Sequence, residues 1–222
     1  MTDPHPPPEA RFITLEGGDG AGKSSQARLL AAALREAGLR VLATREPGGA
    51  PGAEVLRTLL LSDHSDWSPS AETLLHFAAR AEHVEKAIRP ALKAGTWVVC
   101  DRYSDSTMAY QGFAQGADKG MILALVGLIG QQPDLTLVLD VSDRVASARL
   151  RARGDTASDR YEREGAAFHG RVKQGFRAIA AGDPERCVLI DADGNQAEVH
   201  AAILRVVSSR FGLRGLGRRD PQ

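Results

Sequence analysis

The sequence carries no excess charge of either sign, only two cysteines and no long apolar run, and each shortage removes a class of protein. Lys+Arg and Asp+Glu number 28 each, whereas chains that grip nucleic-acid backbone are usually basic overall. A nucleic-acid polymer is therefore not expected as the main partner. No apolar stretch approaches the ~20 residues of a membrane span, so no membrane association is expected. Cys100 and Cys187 lie in separate apolar runs and read as buried, reduced thiols, which fits a cytoplasmic chain better than a disulfide-stapled one. The histidines show no metal-type spacing, and no structural metal is expected. The first ten residues, MTDPHPPPEA, lack a charged segment followed by an apolar one and read as a disordered tail. The last ten, LRGLGRRDPQ (213–222), are expected to fray.

What is present is a regular alternation. Five short, largely β-branched runs stand out: RFITLE (11–16), RVLATR (40–45), TWVVCD (96–101), LTLVLD (135–140) and RCVLID (186–191). Their near-continuous hydrophobicity marks strands buried on both faces of a parallel sheet. The segments 22–37, 53–62, 69–94, 118–130, 142–153, 159–181 and 195–211 read as helices, with Gly38 and Gly95 as C-terminal stops. The predicted fold is a three-layer α/β domain spanning 11–212, a five-stranded parallel sheet flanked by helices. Ligands of such sheets bind at the carboxyl ends of the strands. Glu16, Arg45, Asp101, Asp140 and Asp191 end these runs and are expected to face one shared cleft.

Residues 17–24, GGDGAGKS, follow the first strand and open the first helix, the context in which G-x-x-x-x-G-K-[ST] forms a phosphate-binding loop. Gly17, Gly18, Asp19, Gly20, Ala21, Gly22, Lys23, Ser24 and Ser25 are accordingly expected to bind a nucleoside triphosphate, which the resemblance given below implies is ATP. Backbone N–H groups would turn inward around the phosphates, Lys23 would reach the β- and γ-phosphates, and the Ser24 hydroxyl would ligate Mg²⁺. The acidic Asp19 is out of place unless it points across the cleft to a second ligand.

That second ligand is foreshadowed by two strand ends. In TREPGG, Arg45 leaves the second strand at the cleft face and can fork a phosphate. In VVCDRYSDSTMAYQG, Asp101 and Arg102 leave a buried strand together, Asp101 as a candidate Mg²⁺ ligand and Arg102 as a bidentate phosphate grip. Asp140, at the end of the fourth strand, is the rival metal ligand. Ser106, Thr107, Tyr110 and Gln111 offer polar groups suited to a base and sugar. Residues 149–163, RLRARGDTASDRYER, put Arg149 and Arg153 on one helix face with Gly154 as a hinge. Asp159 and Glu162 make a capping box for the next helix, so the segment reads as an arginine-rich lid or, more plainly, as a solvated helix face. MILALVGLIG (121–130) is apolar around most of its circumference and must be buried on more than one side, by a partner or by the core.

Taken together, GGDGAGKSS, TREPGG, FAAR, DRYSDSTMAYQG, PDLTLVLDV and RARGDTASDR resemble, in order and spacing, the thymidylate kinases, over roughly Arg11 to Phe211. The resemblance implies the P-loop nucleoside monophosphate kinase fold, transfer of a phosphoryl group from ATP to dTMP with Mg²⁺, and a homodimer. It implies that Arg45 and Arg102 hold the dTMP phosphate and that Thr107, Tyr110 and Gln111 line the nucleoside pocket. Asp19 would sit on the acceptor side. On LLHFAAR, a ring would stack on the base while Arg80 bonds a base carbonyl; Phe77, at the alternative spacing, is favoured over His76, which holds the position four residues before the Arg where many relatives place the ring. The phosphate loop carries no basic residue except Lys23, so the resemblance assigns the catalytic arginines to the lid, Arg151 and Arg153 first and Arg160 next. The readings set against this are a deoxynucleoside kinase using Glu46 as a base, and a GTP-driven switch whose D-x-x-G would be DADG at 191–194.

Overall fold

A computed structural model of the chain describes residues 9–62, 66–154, 161, 163–213 and 215–216, apart from the side chain of Arg153. All five expected strands form: β1 (Phe12–Glu16), β2 (Val41–Arg45), β3 (Trp97–Asp101), β4 (Leu135–Asp140) and β5 (Cys187–Asp191). Every pairing is parallel and the order is β2-β3-β1-β4-β5. β1, β3 and β4, buried up to their last residues, occupy the centre, while β2 and β5, covered only in part, form the edges. This is why the central runs read as continuous hydrophobicity.

Helices cover both faces. On one, α1 (Lys23–Glu36) and α9 (Gln196–Phe211) bury Leu30, Leu34, Ile203 and Val207 against Ile13, Leu15, Val99 and Leu137. Each such aliphatic side chain contributes roughly 1.5–3 kcal/mol by leaving water. The C-terminal end, expected to fray from residue 213, instead returns Leu213 and Leu216 to this core. On the other face, α3 (Pro69–His83) continues through a π-helical turn (Val84–Ile88) into α4 (Arg89–Lys93), and α8 (Ala166–Gly182) packs Phe168, Val172 and Phe176 beneath Tyr110 and Val138. The remaining helices are α2 (Pro51–Leu61), α5 (Ser104–Thr107), α6 (Lys119–Ile129) and α7 (Asp143–Arg153).

Three expectations are corrected. The helix expected over 69–94 is wound as a π turn just before Pro90, because proline has no N–H to give and its ring crowds the carbonyl four residues back. The helix expected to start at 159 begins at Ala166, after Gly165 in extended conformation (φ −71°, ψ 165°); residues 161 and 163–165 are not helical. The capping residues Asp159 and Glu162 lie outside the described residues. Finally, 104–114 is helical, α5 running into a π-helical stretch (Met108–Ala114), where no helix was expected. STMAYQG mixes the helix formers Met108, Ala109 and Gln111 with Thr107 and Gly112, so propensity does not decide its state; the stretch packs on α8.

Candidate active site

The loop after β1 needs glycine for reasons of space as well as conformation. Gly17 has φ 134°, and a Cβ there would lie 2.5 Å from the Leu139 carbonyl oxygen of β4; Gly20 (φ 78°) would put one 2.7 Å from the Ala146 carbonyl oxygen of α7. Gly22 (φ 92°) stands at the N-cap of α1. The loop can thus lie tight against β4 and α7. Lys23 is buried and its Nζ donates to the Gly18 carbonyl at 2.7 Å. Burial, reinforced by the neighbouring Arg102 cation, lowers its pKa to about 8.

At the carboxyl end of β3, the Ser24 hydroxyl donates to Asp101 Oδ2 at 2.5 Å, while Asp101 Oδ1 is buried with no hydrogen-bond partner. A buried carboxylate oxygen without a donor costs about 1–3 kcal/mol or more, and a cation beside it removes that cost. Hydroxyl and carboxylate oxygens suit Mg²⁺, which takes one or two carboxylates and completes its shell with phosphate and water. The rival Asp140 is engaged elsewhere: Arg177 Nη2 approaches Oδ2 at 2.8 Å, and Asp140 lines a separate cavity of about 160 Å³ behind the loop.

Arg102 adopts φ 68°, alone among the described non-glycine residues. This turn brings its guanidinium back under the loop, where it donates to the Gly17 carbonyl (3.2 Å), Ser106 Oγ (3.2 Å), the Tyr110 hydroxyl (3.2 Å) and Asp19 Oδ1. Tyr110 in turn donates to Asp19 Oδ2 at 2.8 Å. Burial alone would raise the Asp19 carboxyl, but the Arg102 and Lys23 cations and the Tyr110 hydrogen bond outweigh it and hold its pKa below the ordinary value. Asp19 thus points toward Arg102 and Tyr110, within reach of the Lys23 charge as well.

Glu16, which ends β1, does not reach the cleft. It is fully buried, accepts from the backbone N–H of Tyr103 (2.7 Å) and from Ser106 Oγ (2.5 Å), and so pins the start of α5. Burial and the charge of Asp105 raise its pKa to about 8. The expectation that all five strand ends share one cleft is thus corrected: Arg45 and Asp101 line it, Glu16 and Asp140 do not, and Asp191 accepts from the Asp193 N–H. A strand end reaches the cleft only if its side chain falls on the open side of the sheet's twist, which a run of apolar residues does not reveal.

The cleft is a cavity of about 650 Å³ bordered by the phosphate loop, the ends of β2 and β3, α3, the 104–114 helix and α9. Arg45 reaches it while its Nη2 bonds both oxygens of Glu54 (3.0 and 3.1 Å). Arg80 is buried, with Nε donating to Glu46 Oε2 (2.8 Å) and Nη2 to Thr107 Oγ1 (3.1 Å); Nη1 is buried and unpartnered. Gln111 Nε2 donates to Glu72 Oε1 at 2.7 Å. Phe77, favoured for stacking, does not border the cavity. Its ring is buried against Ala117 and Ile122 and lies 4.6 Å from the Arg80 guanidinium; one residue earlier on the helix, 100° around, His76 borders the cavity instead. The Tyr161 hydroxyl hydrogen goes to Glu72 Oε1 (2.7 Å), so His76 Nε2 is the donor in its 3.1 Å bond to Tyr161. Burial and the Arg80 and Arg102 cations lower the His76 pKa to about 3, which keeps the ring neutral.

The arginine segment divides. Arg149 reaches the cavity and spans two loops: Nη1 approaches the Gly20 and Ala21 carbonyls (3.4 and 3.5 Å), and Nη2 donates to those of Ala192 (2.9 Å) and Gly194 (2.8 Å). Arg151 is exposed on α7 and does not border the cavity. The Arg153 side chain and Arg160 lie outside the described residues. Sequence reasoning missed Tyr161 and Glu72, which only the packing of Tyr161 on α3 brings together, and Arg57, whose Nη1 donates to the Pro47 carbonyl at 2.7 Å at the cavity edge.

A parallel sheet with a glycine-rich phosphate loop at the carboxyl end of its central strand, opening on one cavity with a second set of cationic groups, defines a P-loop kinase. Residues 15–203 match the family model described as thymidylate kinase. The chain is 52% identical to the thymidylate kinase of Gluconobacter oxydans over 92% of its own length and 97% of that protein, and 50% identical to that of Caulobacter vibrioides over 91% and 98%. The crystal structure of thymidylate kinase from Ehrlichia chaffeensis superposes with a TM-score of 0.75 at 35% identity, covering 90% of this chain and 100% of that one. The chain belongs to the thymidylate kinase family.

Proposed function

We propose that this chain transfers the γ-phosphoryl group of ATP to dTMP, giving dTDP and ADP. The reading is supported above all by the single cavity in which the phosphate loop and Arg45, Arg80 and Arg102 meet, in a member of a family so named. Gly17 to Ser25 would cradle the ATP phosphates with Lys23 released from Gly18. Arg102 and Arg45 would take the acceptor phosphate, with Asp19 and Tyr110 holding Arg102 in line. Ser106, Thr107 and Gln111 would border the nucleoside, Arg80 Nη1 would give its free N–H to a base carbonyl, and the neutral His76 ring would lie against the base. Ser24 and Asp101 would hold Mg²⁺, which when bound supplies positive charge across the β- and γ-phosphates. Among the described residues no three His, Cys, Asp or Glu cluster as a metal cage, so the phosphates themselves would complete the shell.

A phosphate monoester has a second pKa of about 6 and is largely dianionic at neutral pH, so the acceptor needs no general base. Catalysis rests on in-line positioning and on screening like charges. Within the single domain proposed for 11–212, Arg151, Arg153 and Arg160 of the lid (about 149–163) would supply the last positive charge at the transferring group. The deoxynucleoside-kinase reading needs a free base, and both oxygens of Glu46 are already bonded, to Arg80 and His83. A coupled assay with ATP and Mg²⁺ tests the proposal. Turnover is expected with dTMP. Turnover only with thymidine, or GTP hydrolysis without any acceptor, would overturn it.

A homodimer belongs to the same reading. α6 was expected to be buried on several sides, yet within one chain only Ile122 is buried in this helix while Leu123 and Leu128 are 62% and 80% exposed. Val55 and Leu59 of α2 and Leu74 of α3 are also exposed, and an apolar surface of this kind marks an interface. Light scattering should give twice the chain mass. A cytoplasmic location is proposed too: Cys100 and Cys187 are free buried thiols. No helix among the described residues is long and apolar enough to cross a membrane.

A further inference from the structure

Behind Arg80 lies a chain of buried polar groups that the proposed reaction does not use. Glu46 is 6% exposed and His83 is 0% exposed. Glu46 Oε2 accepts from Arg80 Nε at 2.8 Å; Glu46 Oε1 meets His83 Nδ1 at 3.0 Å; His83 Nε2 meets Thr44 Oγ1 at 2.8 Å. The roles follow from the donor inventory. A carboxylate paired with a guanidinium has no proton to give, so His83 Nδ1 is the donor toward Glu46. The Thr44 hydroxyl rotates to complete the far nitrogen.

The turn after β2 is built around this pair. A Cβ at Gly49 (φ 84°) would lie 2.4 Å from both His83 Nε2 and Thr44 Oγ1, so the EPGG backbone seals the imidazole from water. At the other end of the chain, Arg80 is clamped on every side but one. Nε is held by Glu46, Nη2 by Thr107, and the plane of the group by the rings of Phe77 (4.6 Å) and Tyr103 (5.1 Å). Only Nη1 is buried without a partner. A guanidinium is a rigid fork, so fixing Nε fixes where Nη1 points.

We infer that His83 is a positioning residue for acceptor recognition: acting through Glu46, with Thr44 behind it, it sets the direction of Nη1, the one nitrogen of Arg80 without a partner, beside the cavity. Without the His83 donor, Glu46 Oε1 is left buried and unsatisfied, and the carboxylate rotates to recover a partner. Because both Glu46 oxygens belong to one planar group, that rotation drags Arg80 with it. A ligand that reads the Arg80 N–H is one with a carbonyl on its base edge; a ligand with an amino group at that point cannot accept the bond. The inference rests on the dTMP reading above, and the test separates the two.

The experiment is steady-state kinetics on the wild type, His83→Phe, His83→Asn and Thr44→Val, varying dTMP and ATP separately and comparing dTMP with dCMP. Wild-type turnover of dTMP tests the functional reading and nothing else. Given that turnover, His83→Phe, which keeps the ring and loses the donor, should raise KM for dTMP about tenfold and change KM for ATP less than twofold. It should also shrink the kcat/KM preference for dTMP over dCMP about tenfold. His83→Asn, whose side-chain amide can donate from the Nδ1 position, should recover KM for dTMP to within about threefold of the wild type. Thr44→Val, the mildest change, should fall between these and stays informative if His83→Phe does not fold. A merely structural role would reduce the melting temperature and the active fraction of each variant equally for both substrates. Equal shifts in both KM values, a dTMP preference unchanged by Thr44→Val and His83→Phe, or no rescue by His83→Asn would each overturn the inference.

Discussion

Lys23 is expected to be a liability to the empty protein, and the size of that liability can be worked out. The residue is 6% exposed and its ammonium is bonded to one backbone carbonyl, with a pKa lowered from 10.5 to about 8. One pKa unit corresponds to about 1.4 kcal/mol. At pH 7, where both the folded and unfolded chains hold the proton, the shift costs the folded state about 3 kcal/mol. The unfolded chain binds more protons than the folded one between pH 8 and 10.5, so stability from this group rises with pH across that window. The cost is full below pH 8, about 2 kcal/mol at pH 9, and gone above 10.5. Lys23→Met removes it, but also loses the hydrogen bond to Gly18, worth about 1 kcal/mol. The net gain at pH 7 is then about 1–2 kcal/mol, or ~2–8 °C for a domain of this size. Urea and thermal unfolding of both nucleotide-free proteins at pH 7 and pH 9 measure this directly, alongside turnover, which the variant should lose. A Lys23→Met protein less stable than the wild type at pH 7, or a stability difference that ignores pH, would refute the reasoning.

Other outcomes follow from the same geometry. Asp19→Ala should raise KM for dTMP at least tenfold through loss of the Arg102 anchor while ATP affinity, read by calorimetry, changes little; the reverse pattern would refute the acceptor-side role of the loop acid. Glu16 has its pKa raised to about 8, so the folded chain binds the extra proton between pH 4.5 and 8 and stability from this group falls as pH rises through that range. Glu16→Gln, which can keep the bonds to Tyr103 and Ser106, should melt close to the wild type at pH 5 and several degrees above it at pH 8 in a thermal scan. Gly20→Ala forces a Cβ to 2.7 Å from a backbone oxygen of α7 and should destabilise the protein by about 2 kcal/mol or more by denaturant titration, with Gly18→Ala, which meets nothing, as the harmless comparison.

The strands, the glycine-rich loop and the placing of Asp101 and Arg102 side by side at one strand end were legible in the sequence because each is written locally. β1, β3 and β4 are continuous apolar runs, and the loop is a spacing of glycines before a lysine. What was not legible depends on where a helix face points once it is packed. FAAR does not reveal that Phe77 turns into the core beside Ile122 and that His76 borders the cavity. Glu16 and Asp101 both end apolar strands, yet one is sealed under α5 and the other opens on the cleft. Tyr161 and Glu72 are 89 residues apart, and no local pattern links them. The 104–114 helix escaped notice because Thr107, Tyr110 and Gly112 interrupt the helix formers Met108, Ala109 and Gln111 in a short stretch, which packs on α8.

That winding has a consequence for how the pocket can change. In the stretch from Met108 to Ala114 the hydrogen bonds reach back five residues, as from the Gln115 N–H to the Tyr110 carbonyl at 3.0 Å. Residues four apart therefore stay nearly in line instead of drifting around the axis. Gln111 and Gln115 both donate to the same oxygen of Glu72, and Ser106 and Tyr110 both meet Arg102. The wall is phased by the number of residues in the turn, not only by their chemistry. Removing one residue from this stretch would let it rewind as an α-helix: the side chains within it would be re-aimed, while those beyond it would keep nearly their present phase, because the tighter turn makes up the angle of the lost residue. In this wall a change of length by one residue would re-aim a whole row of contacts that no single substitution could move together.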